Sequence, residues 1–323
     1  MKLNSMRVSK GLEGLRSLPP GGVLSVGNFD GVHQGHQQII NTAMRLRSPD
    51  RRLALVTFEP HPLTVLRPDL APPRLTPVEV KREFLAAGGG EELVELPADP
   101  EVLDLTAEAF WALLRDEVRP THIVEGNRFN FGKGRGGTIE KLRQWSENSP
   151  VKLETISGVC VPLLDLSVVE VNSSLIRWLA AHGRMRDAAI CLGRCYALRG
   201  EVVKGHQRGR TIGVPTANLR VIDQLIPADG VYAGRATVHG KTYAAAVSIG
   251  TMPTFGENQR QVEAHLIGFE DDLYGRVIEV ELVDWIREQW KFESVTALKS
   301  RLTRDIARAK ESAGESIPRH VMA

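Results

Sequence analysis

The chain has few cysteines, almost no net charge and no long apolar run, and each shortage removes a class of protein. Three cysteines in 323 residues (Cys160, Cys191 and Cys195) are too few, and odd in number, for a disulfide scaffold; they fit a reducing, cytoplasmic setting. Cys191 and Cys195 are spaced for one face of a helix. No further ligands cluster near them, so burial rather than zinc is the expectation. A formal net charge of +2 gives no global attraction to nucleic acid or to a membrane surface. No apolar stretch approaches bilayer-spanning length, and residues 1–16 are polar and mixed rather than signal-like. Repeats and low-complexity tracts are absent. The composition, 42% hydrophobic and 25% charged, is that of a globular protein long enough for two domains. Oligomeric state is not legible.

Up to about residue 183 the chain alternates two patterns. Val23–Val26 and Leu53–Phe58 are compact apolar runs, as in buried parallel strands. Ile39, Ile40, Ala43, Met44 and Leu46 recur with helical period between them, completing a βαβ unit. Glu79–Ala87, Ala107–Val118 and Asn172–His182 read as helices, and Thr121–Glu125 as a strand. This alternation implies a doubly wound α/β domain over residues 1–185. Residues 186–323 read differently. Leu198–Val203, Val231–Val238, Lys241–Ile249, Val262–Phe269 and Val277–Val283 are strand-like, with His239-Gly240 as a tight hairpin turn. A helix is expected after the N-cap Ser294, with Val295, Leu298, Leu302 and Ile306 as its apolar stripe. Many short strands and one helix suggest a small antiparallel barrel.

The most informative stretch is Gly27-Asn28-Phe29-Asp30-Gly31-Val32-His33-Gln34-Gly35-His36, directly after the first apolar run. It reads as strand, glycine-rich turn and a helix opening near His36, a geometry that gathers backbone N–H groups and a positive dipole end where an anion can sit. His33 and His36 straddle Gly35, which adds no bulk, and imidazoles there can stabilise charge on a leaving pyrophosphate. Zinc would want further ligands, and Asp30 is the only acid nearby. Asn172-Ser173-Ser174-Leu175-Ile176-Arg177 opens a helix with two hydroxyls and a planar cationic fork, which suits phosphate as well as plain capping. A second loop, Gly205 to Asn218, is rich in glycine and basic residues. It ends in Thr216 and Asn218, two uncharged oxygen donors of the kind Mg²⁺ accepts beside substrate phosphates.

These motifs resemble the prokaryotic bifunctional riboflavin kinase/FMN adenylyltransferase family over roughly residues 20–310. The matching residues are Gly27–His36, Thr57-Phe58-Glu59-Pro60-His61-Pro62, the Phe129–Gly137 loop, Ser173–Arg177, and Gly209-Arg210-Thr211-Ile212-Gly213-Val214-Pro215-Thr216-Ala217-Asn218. Further matches are Pro227–Tyr232, Ile249–Phe255, Val262–Leu266 and Asp272–Gly275. The resemblance implies a Rossmann-like nucleotidyltransferase domain followed by a riboflavin kinase barrel with a C-terminal helix. It implies two reactions: riboflavin plus ATP gives FMN, and FMN plus ATP gives FAD and pyrophosphate, with Mg²⁺ accompanying ATP.

Carried over residue by residue, the resemblance makes His33, His36 and Glu263 catalytic, with Glu263 as general base toward the ribityl hydroxyl. It gives ATP and phosphate contacts to Gly27, Asn28, Phe29, Asp30, Gly35, Ser173, Ser174 and Arg177, and in the second domain to Gly205, Gly209, Arg210, Gly213 and Pro215. Thr216 and Asn218 hold the metal. Arg128, Phe129, Phe131 and Arg287 face flavin, with Phe292 beside Arg287. Arg128 departs from the family's small polar or acidic residue, and Ser248 stands where asparagine is common. A kinase whose first domain is impaired by Arg128, a non-catalytic flavin- or nucleotide-binding regulator, and an adenylyl- or cytidylyltransferase for another phosphate ester remain as alternatives.

Overall fold

The computed structural model describes residues 6–205, 209, 212–251 and 260–314. The chain divides into two compact units, Met1–Pro72 with Val78–Cys160, and Pro73–Pro77 with Val161–Ala323.

The first unit is built on a parallel sheet. Its strands are β1 (Arg7–Lys10), β2 (Val23–Val26), β3 (Leu53–Phe58), β4 (Glu92–Leu96) and β5 (His122–Gly126), then, after the short pair β6 (Asn130–Phe131) and β7 (Gly137–Thr138), β8 (Lys152–Ile156). The sheet order is β1-β4-β3-β2-β5-β8, so succession reverses between β2 and β5. Ligands of such sheets bind in the crevice at that reversal. Helices cover both faces. Val23, Leu53, Leu55 and Leu93 pack with Ile40 and Ala43 of α2 (Gln34–Leu46, numbered after α1, Gly11–Arg16) and with Leu85. Leu24, Val26, Val56 and Val94 pack on the opposite face against Leu12, Leu15, Phe110, Trp111 and Leu142. Alternate residues of each strand thus serve opposite cores, which is why these strands read as continuous apolar runs.

β4 is the strand least legible in the sequence. Glu92 and Glu95 are buried within it, yet each is paired: Arg7 and Arg52 reach Glu92 at 2.7 Å, and Arg82 reaches Glu95 at 2.7 Å. Two charges in five residues hide the strand pattern, and the arginines make their burial tolerable.

In the second unit β9 (Cys160–Pro162) and β10 (Val168–Glu170) form a small pair, followed by helices Ser173–Ala181 and Met185–Leu192. Arg184 binds Asp165 and Asp187 at 2.7 Å, and Asp187 accepts from the amide of Leu164. These bonds tie residues 164–187 together within the second compact unit. The Met185–Leu192 helix ends at Gly193, whose φ of 73° is left-handed. Cys191 therefore lies in the helix and Cys195 beyond it, which corrects the expectation that they share a helical face. Both are buried, and burial pushes the Cys191 thiol up to about 12.

The barrel closes in the order β11-β12-β15-β14-β13-β16. The strands are β11 (Tyr196–Val203), β12 (Ala217–Val221), β13 (Gly230–Val238), β14 (Lys241–Thr251), β15 (Arg260–Leu266) and β16 (Val277–Arg287). β13 and β14 turn through His239 and Gly240, both at positive φ (51° and 74°), as the expected two-residue hairpin requires. The C-terminal helix, Val295–Ser312, is capped by Ser294, whose hydroxyl accepts from the Ala297 amide at 3.1 Å. Its buried face carries the expected Leu298, Leu302 and Ile306, each half-buried, but is wider than that apolar stripe. Val295 is exposed, while Asp305, Ala309 and Ser312 are buried. Asp305 is tolerated there because Arg287 Nε and Nη2 both donate to its Oδ2, at 2.9 and 2.7 Å.

Candidate functional sites

In the first unit the glycine-rich stretch leaves β2 as anticipated, and the helix opens at Gln34, two residues before His36. His33 caps α2: its Nδ1 accepts from the His36 amide at 3.4 Å. With Nδ1 accepting, the proton of a neutral ring sits on Nε2. The two imidazoles stack with centroids 3.6 Å apart. The turn is conformationally demanding, with Phe29, Gly31 and Val32 at φ of 48°, 82° and 37°. It is secured from below. Gly27 donates to Val56 O at 2.9 Å, and the Thr57 hydroxyl donates to Asn28 O at 3.1 Å. The Asn28 amide lies 3.2 Å from His61 Nε2, joining the turn to the Glu59–Pro62 segment. Asp30 and His33 are buried, and Gly35 occupies the first turn of α2. The side chain of Phe29 belongs to the core, so its part in a phosphate site is confined to backbone.

Lys81, on the helix Val78–Ala87, is a contributor the sequence reading omits. It is 3% exposed and donates to Thr57 Oγ1 at 3.4 Å and Glu59 Oε2 at 3.2 Å, beneath the same turn. A single lysine on an otherwise apolar helix face was the available signal.

The loop after β5 carries the expected flavin residues. Arg128 is exposed, and its carbonyl accepts from Asn130 at 2.7 Å. Phe129 stacks on Phe131, with centroids 5.3 Å apart. Phe131 is itself a core residue against Phe110 and Trp145, so it backs Phe129 rather than lining the surface. Ser173, Ser174 and Arg177 lie in the second unit. Asn172 caps their helix, accepting from Leu175 N at 2.9 Å, and Arg177 Nε donates to Pro73 O at 2.7 Å.

In the barrel, register assembles the second site. Glu263 on β15 pairs with Asn218 on β12 and with Ser248 on β14, placing the three in one row. Their neighbours Leu219, Val262, Ala264, Val247 and Ile249 are buried, so the row faces outward. Gly205, ahead of β12, packs against this row. A Cβ on Gly205 would collide with the Asn218 side chain, and one on Gly209 would collide with Val214 O. Glycine is what lets the backbone lie this close. Gly213 has φ of 86°, and Pro215 O lies 2.7 Å from His265 Nδ1. Arg210 lies outside the described residues. Beside Thr216 is a cavity of about 480 Å³, lined by Val202, Ala264 and Leu266 and by Phe269, Asp272 and Tyr274.

Arg287, expected at the flavin, has its fork occupied by Asp305, and Nη1 donates to Glu288 O at 2.7 Å. Trp290 and Phe292 pack on its guanidinium at 5.1 and 5.6 Å. Gln289, two residues after Arg287, donates to Ser248 Oγ at 2.8 Å and Ile249 O at 3.0 Å. In this arrangement Arg287 fastens the helix and the Gln289 segment to the barrel.

A doubly wound unit with a helix start aimed at its crevice, joined in one chain to a closed barrel bearing an oxygen-rich row, defines a two-module transferase of phosphate groups. The comparisons particularise that class. A family model described as FAD synthetase matches residues 16–167, and one described as riboflavin kinase matches residues 192–313. The Bifunctional riboflavin kinase/FMN adenylyltransferase of Escherichia coli (strain K12) is 34% identical over 317 residues, covering 97% of this chain and 100% of that protein. The Bacillus subtilis protein of the same description is 34% identical over 290 residues, covering 88% and 90%. A solved Streptococcus pneumoniae structure described as Macrolide-efflux Protein superposes with a TM-score of 0.84 at 28% identity, over 97% of this chain and 100% of that one. The chain belongs to the bifunctional riboflavin kinase/FMN adenylyltransferase family. Among its described residues no helix is long and apolar enough to cross a membrane.

Proposed function

We propose that this chain makes FAD from riboflavin in two ATP-dependent steps, one in each unit. The observation that carries the reading is the Asn218–Glu263 pair, set side by side on the barrel wall next to Thr216. In the barrel, Glu263 accepts the proton of the ribityl 5′-hydroxyl as that oxygen attacks the γ-phosphorus of ATP, and ADP leaves. In the α/β unit, a phosphate oxygen of FMN attacks the α-phosphorus of ATP and pyrophosphate leaves. His33, His36 and the first amides of α2 hold the negative charge that develops. By family resemblance Ser173, Ser174 and Arg177 also bind phosphate. Positioning and charge stabilisation supply the rate, without a covalent intermediate.

The barrel donors suit Mg²⁺ carried by ATP. Thr216 and Asn218 offer two neutral oxygens, the sparse set this ion takes when phosphates and waters complete its shell. Among the described residues no cluster of three or more His, Cys, Asp or Glu forms a self-sufficient metal cage. The ion, when bound, neutralises phosphate charge.

The test is chromatography of flavins after incubation with riboflavin, ATP and Mg²⁺. FMN and FAD are both expected, and absence of both refutes the proposal. Glu263→Ala lowers FMN formation by about 10²- to 10⁴-fold while FAD formation from supplied FMN persists. FMN accumulating without FAD in the wild type would instead favour a kinase with an impaired first unit.

A further inference from the structure

Glu125 is a buried carboxyl that neither proposed reaction uses. It follows the apolar pair Ile123–Val124 on β5 and is 2% exposed. β2 and β5 are paired only at Val23↔His122 and Leu24↔Ile123. Beyond Leu24 the strands part. The Gly27 amide faces β3, where Val56 O accepts it at 2.9 Å, so by the alternation of a strand the Val26 amide faces β5. No β5 carbonyl pairs with it there. Glu125 Oε1 accepts it instead, at 2.6 Å.

The place where the strands part is the reversal point of the sheet. The glycine-rich turn leaves β2 at Gly27, one residue past Val26. The Arg128–Phe131 loop leaves β5 at Gly126, one residue past Glu125. A single side-chain hydrogen bond therefore joins the roots of the two loops. We propose that Glu125 is a positioning residue for adenylyl transfer, its carboxyl standing in for the missing strand carbonyl and fixing the spacing between the phosphate turn and the aromatic loop. The inference rests on the adenylyltransferase reading of the first unit.

The role needs an acceptor, not a charge. Burial raises this carboxyl well above the usual range, and only the Val26 amide opposes that. An amide side chain provides an equivalent acceptor. An isosteric apolar side chain fills the space and leaves the Val26 N–H unpaired in the core, a loss that displaces the turn.

The experiment compares Glu125→Gln and Glu125→Leu with wild type in the full chain. Adenylyl transfer is measured with FMN and ATP varied in turn, and riboflavin phosphorylation by the same preparations reports that the protein is intact. Glu125→Gln is expected within about threefold of wild type in kcat/KM, and Glu125→Leu about 10- to 100-fold lower, with riboflavin phosphorylation unchanged in both. Where Glu125→Leu does not fold, Glu125→Met gives the same comparison. Wild-type adenylyl transfer in the apolar variant overturns the proposal, as does a Gln variant as impaired as the Leu variant. If the wild type makes no FAD from FMN, the adenylyltransferase reading fails separately. ATP affinity of the two variants then tests the spacing, and equal affinity overturns it.

Discussion

Replacing Asp305 by alanine probes how the barrel site is supported. Asp305 is 1% exposed and Arg287 7%. Arg287 places two N–H groups on Asp305 Oδ2, and Arg301 forms an ion pair with Oδ1 at 2.9 Å. Asp305→Ala removes the anion that two guanidinium groups share and leaves Arg287 charged in a buried setting. Breaking one side of a buried pair costs about 3–5 kcal/mol, against about 1 kcal/mol or less for an exposed one. The larger figure applies here because Arg287 has no comparable access to water. The damage also travels. Arg287 holds Glu288 O, and Gln289 holds Ser248, the cross-strand neighbour of Glu263. Riboflavin phosphorylation is therefore expected to fall more steeply than FMN adenylylation. Urea unfolding of the full chain, read with both activities, makes the measurement. The double variant Arg287→Leu/Asp305→Leu removes both charges and recovers part of the stability. A loss under about 1 kcal/mol in Asp305→Ala, or a double variant worse than either single one, would refute the argument.

Two further outcomes follow from named contacts. Gly205→Ala puts a methyl into the Asn218 side chain, so riboflavin phosphorylation falls about tenfold or more while adenylyl transfer is untouched; equal kinase activity in the variant would show that the loop yields instead. The raised Glu125 carboxyl gives a pH signature. Its contribution to stability is full below the ordinary value of 4.5 and is lost as the pH rises toward and through the higher folded-state value, because only the unfolded chain ionises readily in that window. Thermal unfolding should thus show Glu125→Gln gaining on wild type with rising pH, by at most about 1.4 kcal/mol per pH unit, and a pH-independent gap would contradict this.

The parts of the fold that were legible share one property: their cause is local. The apolar runs of β2 and β3 announce strands buried on both faces. The parts that were missed depend on a distant partner. β4 carries two glutamates that only Arg7, Arg52 and Arg82 make tolerable. Asp305 looks like an outward residue until Arg287 is placed against it, which is why the expected stripe of Leu298, Leu302 and Ile306 left out the charged and small residues buried beside it.

The candidate sites divide in the same way. Sequence alone determined the backbone devices: the Gly27–Gly35 turn and helix start, and the His239-Gly240 hairpin. Steric limits on φ and the chemistry of short motifs are written into neighbouring residues. Only the tertiary structure set Asn218 against Glu263, placed Lys81 under the turn, turned Arg287 to the C-terminal helix, and gave Glu125 the amide of Val26. Those facts follow from strand register and from which charges share a buried space, and both arise only when segments remote in sequence are brought into contact.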